Sequence, residues 1–242
     1  MFINYAHRGA SAYAPENTFM SFYLGIIQGA DGIETDVQKS KDGLLTLFHD
    51  TTLERVTGQP GTIADYTFEQ LQKFKVLSPN GLEDRIISLD EFLRVFSWRN
   101  LTFALEIKYK GYEKEVVDKI YEYHIEDKVY ITSFIYEVLE KIKKIAPEIR
   151  IGYLLDTPDE NSFSNLIKIG GEQICPYASK CTKEFVKYAH NKGVEVRAWG
   201  VQDTDDMKYV FNNGLDGATL NFPDELVRYE ECLIANKECG DK

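Results

Sequence analysis

The sequence predicts a (β/α)8 TIM barrel with a small insertion between strand 2 and strand 3, on three observations. Eight short apolar runs alternate with helical stretches along 242 residues, the pattern of a parallel sheet covered by helices. That length suits eight βα units in a single domain. Imidazole and charged side chains also recur at the carboxyl ends of the strands, the face on which such barrels carry their active sites.

The elements follow in order. INYAH (3–7) is the first strand, and an amphipathic run from Asn17 to Gln28 stops at Gly29. GIETDV (32–37) is the second strand. FALEIK (103–108) precedes a helical YEKEVVDKIYEYH, and KVYITSF (128–134) precedes IYEVLEKIKKIAP, where Pro147 ends the helix. RIGYLLD (150–156) leads into a poorly patterned segment. EQICPYA (172–178), EVRAWGV (195–201) and DGATLNF (216–222) are the last three strands, each followed by a helical run, the final one from Pro223.

Residues 51 to about 102 break the alternation, because this connection is far longer than a usual crossover. It reads as a lid-like excursion over the barrel mouth, containing a helical TFEQLQKF, while SLDEFLRVF reads as the barrel's own helix. Residues 1–242 are thus expected to form one domain, with 51–102 as an insertion within it.

Composition excludes several classes. With 43% hydrophobic residues the chain can bury a full core, and a formal charge of −11 is a poor match for nucleic acid. No apolar run is long enough to span a membrane and the first twenty residues lack a signal-peptide pattern, so a cytoplasmic protein without stable membrane insertion is expected. Cys175, Cys181, Cys232 and Cys239 form no CxxC pair and read as ordinary reduced thiols.

The strand ends carry the chemistry. In GIETDVQKSKDGLLTLFHD, Asp42-Gly43 predicts a two-residue hairpin turn that sets Asp36 directly opposite His49, with Glu34 on the same face. Glu34 and Asp36, joined by Glu106 from strand 3, form an all-oxygen set suited to Mg²⁺ or Ca²⁺. His7 and His49 are expected to converge beside these acids, where imidazole suits proton transfer, whereas His124 and His190 read as surface residues. Arg8 and Lys108 bring positive charge to the same mouth of an acidic protein, as a bound phosphate requires. Glu16 and Asn17 either serve the mouth or begin the first helix through an Asn17 cap.

The ordered series His7-Arg8-Gly9, Pro15-Glu16-Asn17-Thr18, Glu34-Thr35-Asp36-Val37, His49-Asp50 and Glu106-Ile107-Lys108 resembles the glycerophosphodiester phosphodiesterases, of the bacterial, cytoplasmic type, over nearly the whole chain. The resemblance implies a divalent metal and hydrolysis of glycerophosphodiesters, such as glycerophosphocholine or glycerophosphoethanolamine, to sn-glycerol 3-phosphate and an alcohol. It implies His7 and His49 as general acid and base, Arg8 and Lys108 on the phosphoryl oxygens, and Glu34, Asp36 and Glu106 on the metal. Phe134 and Trp199, at the ends of strands 4 and 7, either flank the glycerol carbons or belong to the core. One departure stands out: where the family often ends its last strand with Thr-Asp-x-Pro, this chain has Leu220 and Asn221 in TLNFPD. A lysophospholipase D or phospholipase C-like activity with the same mouth, and a non-catalytic phosphodiester-binding protein, are the other readings. A homo-oligomer stays open.

Overall fold

The computed structural model describes residues 2–240, with side chains through residue 235. Strand β1 (Ile3–His7) leads through a turn-rich loop to α1 (Phe19–Ile27) and β2 (Gly32–Lys39), which folds back on β3 (Leu45–Leu47). One-turn helices α2 (Glu54–Thr57) and α3 (Phe68–Leu71) and an antiparallel pair, β4 (Lys75–Leu77) and β5 (Glu83–Arg85), follow before α4 (Leu89–Phe96). Strand and helix then alternate: β6 (Thr102–Ile107), α5 (Glu113–Glu122), β7 (Val129–Ser133), α6 (Tyr136–Ile145), β8 (Arg150–Leu155) and α7 (Glu160–Lys168). The chain ends with β9 (Gln173–Pro176), α8 (Lys183–Asn191), β10 (Glu195–Ala198), α9 (Thr204–Asn212), β11 (Gly217–Leu220) and α10 (Pro223–Gly240).

The eight strands read from the sequence are the eight that close the barrel. β1 pairs with both β11 and β2, so the parallel sheet has no free edge there, and β3 hangs antiparallel from the far end of β2. The register decides which side chains meet. It sets His7 beside Glu34 and Asp36 beside Glu106, both pairs at the carboxyl end of the barrel.

Packing explains α4 as the barrel's own helix. Ser88 caps it reciprocally with Glu91, and the helix buries Leu89, Phe92, Leu93 and Phe96. Phe92 meets Phe22 of α1 edge-on at 4.8 Å and Phe103 of β6 at 5.7 Å, which joins two helices to the sheet. The segment between β3 and α4 has a small core of its own: Phe48, Leu53, Val56, Ile63, Leu71, Val76 and Ile86.

Three local expectations differ from the structure. The helical TFEQLQKF yields only the single turn Phe68–Leu71, and β4 and β5 in the same segment were not legible. Residues 160–168, poorly patterned in sequence, are helical because Asp159 caps Ser162 and because Phe163 and Leu166 are buried. The third difference is the hairpin register. Val37 pairs with Leu47 and Lys39 with Leu45, one residue away from the expected pairing. Only Gly43 of the expected dipeptide has positive φ, at 86°, and Gly43 N–H donates to the Ser40 carbonyl, so the connection is a three-residue turn instead of a two-residue one. Asp36 is therefore level with Phe48, whose N–H donates to the Asp36 carbonyl at 3.0 Å, and not with His49.

Cys175 and Cys181 are buried free thiols and Cys232 is an exposed one, while Cys239 lies outside the described side chains. Among the described residues no helix is long and apolar enough to cross a membrane.

Gly9 shows why the first strand is followed by His-Arg-Gly. Its φ is +81°, and a Cβ there would lie 2.4 Å from the Ser21 backbone carbon. Gly9→Ala is expected to cost about 3 kcal/mol or more from overpacking and left-handed strain together. A fall of roughly 6 to 12 °C in Tm should result, read by thermal unfolding. A fall under about 2 °C would show that the turn relaxes.

Candidate active site

Alternation along β2 turns Glu34 and Asp36 to the barrel interior, and the β2–β6 register brings in Glu106. All three are buried, at 4%, 1% and 7% exposure. One carboxylate oxygen from each lies within 4.8 Å of the others. Burial and the negative charges of their neighbours, Asp36 first, push the Glu34 and Glu106 carboxyls above the usual range. Burial works against the charge of Asp36 as well, but Lys108 and Arg8 beside it outweigh that and hold its carboxyl low.

Three buried carboxylates in mutual repulsion, all offering oxygen, fit a hard divalent cation. Lys108 supplies part of that positive charge, its Nζ lying 2.9 Å from Glu106 Oε1 and 3.4 Å from Asp36 Oδ1. Arg8 supplies another part, with Nε 3.5 Å from Asp36 Oδ2. That buried Nε faces Asp36 as an ion pair without a close hydrogen bond.

The loop that delivers Arg8 is strained. Arg8 and Asn17 adopt φ of 55° and 57°, a conformation that a non-glycine residue keeps only when its surroundings over-determine it. Here they do. Arg8 N–H donates to the Glu34 carbonyl at 2.9 Å, and the Arg8 carbonyl accepts from Asn17 N–H at 3.0 Å and Ser21 Oγ at 2.9 Å. Asn17 is not the helix cap, a place taken by Thr18. Its side chain is buried, donating from Nδ2 to Asp36 Oδ2 at 2.9 Å and accepting from Thr35 Oγ1 at 2.6 Å. Of the two readings open for Asn17, the structure selects the mouth.

Both histidines reach the same cavity, lined also by Arg8, Glu34 and Glu106, with a volume of 250 Å³. His7 ends β1 with Nδ1 2.6 Å from Asn221 Oδ1, which fixes the proton on Nδ1 and leaves Nε2 facing Glu34 at 3.8 Å. Burial, then Arg8, lowers the basicity of His7. His49 arrives by another route than the expected pairing, because the chain leaves the ribbon after Leu47 and turns its imidazole into the mouth. Its Nδ1 lies 2.7 Å from Asp50 Oδ1. Burial lowers His49 too, with Asp36 opposing and Arg8 and Lys108 assisting. His124 is exposed, and His190, 41% exposed, pairs with Asp216, both away from this cluster.

Phe134 follows β7 and Trp199 follows β10. Their rings meet edge-on at 5.1 Å on the cavity wall, and Trp199 Nε1 donates to the Leu155 carbonyl at 3.1 Å. Phe134 is 42% exposed, so it is wall and not core.

Two residues escaped the sequence reading. Arg197 sits inward on β10, fully buried, with Nε donating to Gln173 Oε1 at 2.9 Å and its guanidinium 5.3 Å from the Tyr5 ring centre, and it lines the cavity floor. An arginine inside the apolar run EVRAW was the available signal. Arg55 of α2 grips both Asp50 and Glu16, and Glu16 in turn accepts from Arg8 at 3.0 Å. An ion network therefore runs from His49 through Asp50, Arg55 and Glu16 to Arg8, and nothing in the local sequence announces it.

Comparison with known proteins agrees with this geometry. The profile of the glycerophosphoryl diester phosphodiesterase family matches residues 7–225. A glycerophosphodiester phosphodiesterase of Caldanaerobacter subterraneus subsp. tengcongensis is 32% identical over 230 residues, covering 92% of this chain and 95% of that protein. Among solved structures, an Oleispira antarctica phosphodiesterase in complex with the product sn-glycerol-3-phosphate superposes with a TM-score of 0.83 at 26% identity, covering 95% of this chain and 96% of that one. A glycerophosphodiester phosphodiesterase from Agrobacterium tumefaciens gives 0.82 at 26% identity, over 93% and 98% of the two chains. With a match that spans its barrel from the first strand to the last helix, the chain belongs to the glycerophosphoryl diester phosphodiesterase family and is a phosphoric diester hydrolase.

Proposed function

We propose that the protein hydrolyses water-soluble glycerophosphodiesters to sn-glycerol 3-phosphate and a free alcohol, aided by one Mg²⁺ or Ca²⁺ held by Glu34, Asp36 and Glu106. The observation that carries this reading is a cluster of three buried carboxylates, Glu34, Asp36 and Glu106, two of which line one cavity with two histidines that are each fixed through Nδ1. When bound, the cation supplies fixed positive charge for a glycerol hydroxyl and a phosphoryl oxygen.

The chain's own groups do the rest. Asn221 holds His7 as the tautomer with an open Nε2 lone pair, so His7 takes the proton from the attacking oxygen. Asp50, itself gripped by Arg55, hydrogen-bonds His49 Nδ1 and works against the burial and the nearby cations that lower the basicity of His49, so His49 is the member of the pair assigned to pass a proton to the leaving alcohol. Arg8, which lines the cavity, and Lys108 beside Asp36 bind the non-bridging oxygens as charge builds on them. Phe134 and Trp199 pack the carbons of the glycerol arm. The insertion at 51–102 is read as a wall of the mouth, tied to the chemistry through Arg55. A cytoplasmic setting fits the soluble substrate class and the free thiols.

The test is release of sn-glycerol 3-phosphate from glycerophosphocholine and glycerophosphoethanolamine by protein stripped with EDTA, then restored with Mg²⁺ or Ca²⁺. Release should fall by about 10³-fold on stripping and return with one of the ions, the metal being worth several kcal/mol in the transition state. Equal release before and after stripping would overturn the metal assignment, and release of glycerol with a phosphorylated alcohol would overturn the bond assignment.

A further inference from the structure

Helix α1 differs from every other described helix in carrying no charged residue, and residues 17–30 around it carry none either. Charged residues make up 28% of this chain, and a barrel helix that met water along its outer side would show them there, as the others do. α1 instead exposes Met20, Tyr23 and Ile27, spaced to lie on one face. Trp98, in the loop after α4, extends that face, because the Arg99 guanidinium lies 4.7 Å from the Trp98 ring centre and 5.7 Å from that of Tyr23. Met20, Tyr23, Ile27 and Trp98 are 38%, 41%, 80% and 71% exposed, which leaves on the order of 450 Å² of largely apolar surface, over half of the ~800 Å² that each partner of a stable dimer buries.

The flanks of this face say what covers it. α1 lies between α4 and α10: Tyr23 meets Phe96 edge-on at 5.0 Å, and Gly29, just past the helix, faces Val227. On the α4 side stands Arg99, whose buried Nε has no hydrogen-bond partner. On the α10 side stands Glu230, close to Asp31. Burial and the charge of Asp31 push the Glu230 carboxyl above its usual range, and no cation among the described residues opposes them. Each flank therefore carries charge without its counterpart. A two-fold axis through the face of α1 sets the arginine flank of one copy against the acidic flank of the other, while the apolar side chains meet at the centre. Tyr, Trp and Arg are also the side chains that most often anchor such interfaces. An anionic lipid surface is a poorer fit, since the acidic flank and the formal charge of −11 both repel it.

We infer that the outer face of α1, with Trp98, is the contact surface of a two-fold homodimer in which Arg99 of each copy meets Glu230 and Asp31 of the other. The inference is independent of the proposed hydrolysis. Sedimentation velocity over a concentration series tests it on the full chain, with Ile27→Glu, Arg99→Glu, Glu230→Arg and the double variant Arg99→Glu/Glu230→Arg. All three positions lie away from the catalytic cavity, and far-UV circular dichroism checks that each variant is folded. The wild type should sediment as two chains at micromolar concentration, and Ile27→Glu, which places a charge against its own copy at the centre, should sediment as one. Arg99→Glu and Glu230→Arg should each raise the dimer Kd about tenfold or more, and the double variant should return it to within about threefold of the wild type. That rescue separates pairing between copies from a structural role of either residue. A wild type that stays a single chain at roughly 100 µM overturns the inference. So does a dimer whose Kd is unmoved by Ile27→Glu, or a double variant as weak as the product of the single losses.

Discussion

Asp36→Asn is expected to lower kcat/KM for glycerophosphodiester hydrolysis by about 10³-fold or more with the fold retained, since the substitution removes a charge but little volume. Asp36 is the carboxylate on which the site converges: Asn17 donates to it, and Lys108 and Arg8 flank it. Without its charge, the proposed cation loses a ligand and both side-chain cations lose the partner that places them. Glu34 and Glu106, relieved of a like charge, ionise more readily, which offsets part of the cost to folding. Steady-state kinetics with calorimetric titration of Mg²⁺ and Ca²⁺ checks this, the variant binding either ion at least tenfold more weakly. A loss of activity under tenfold would remove Asp36 from the centre.

His7→Ala and His49→Ala should each lower kcat on natural diesters by about 10² to 10⁴-fold, the usual worth of a positioned proton-transfer group. The double variant should be little worse than the more damaged single one, because the two act on one transition state. Both replacements remove partly exposed rings, with 26% and 31% side-chain exposure, and so spare the core. Thermal unfolding alongside the kinetics separates lost chemistry from lost folding. A double variant whose loss equals the product of the single losses would mean that the histidines contribute independently and not as a coupled pair.

How much of this was legible in the sequence can be traced residue by residue. His7, Glu34, Asp36, Glu106 and Lys108 stood out because they interrupt apolar strands at their carboxyl ends, and parallel pairing gathers strand ends by construction. The β2–β3 register was not legible. Asp42-Gly43 satisfies two turn geometries that differ by one residue, and the choice falls with Ser40, whose backbone N–H donates to the Leu44 carbonyl at 2.9 Å. His49 reached the mouth all the same, since it lies beyond the paired residues and the insertion core around Phe48 and Leu53 steers the chain there. Asn17 was ambiguous because asparagine both caps helices and tolerates positive φ. Arg55 and Arg197 were missed for a different reason. Their roles rest on partners far along the chain, Glu16 for one and Gln173 for the other, and no local pattern records such contacts.

The division of labour between His7 and His49 is the sharpest form of the account. It is tested by kcat for both alanine variants on glycerophosphocholine and on the glycerol phosphodiester of p-nitrophenol, whose leaving group departs as a stabilised anion and needs no proton. The account predicts that His49→Ala comes within about tenfold of the wild type on the p-nitrophenyl diester while losing about 10² to 10⁴-fold on glycerophosphocholine, and that His7→Ala is impaired on both. Equal losses for His49→Ala on the two substrates, or selective recovery by His7→Ala, would contradict it.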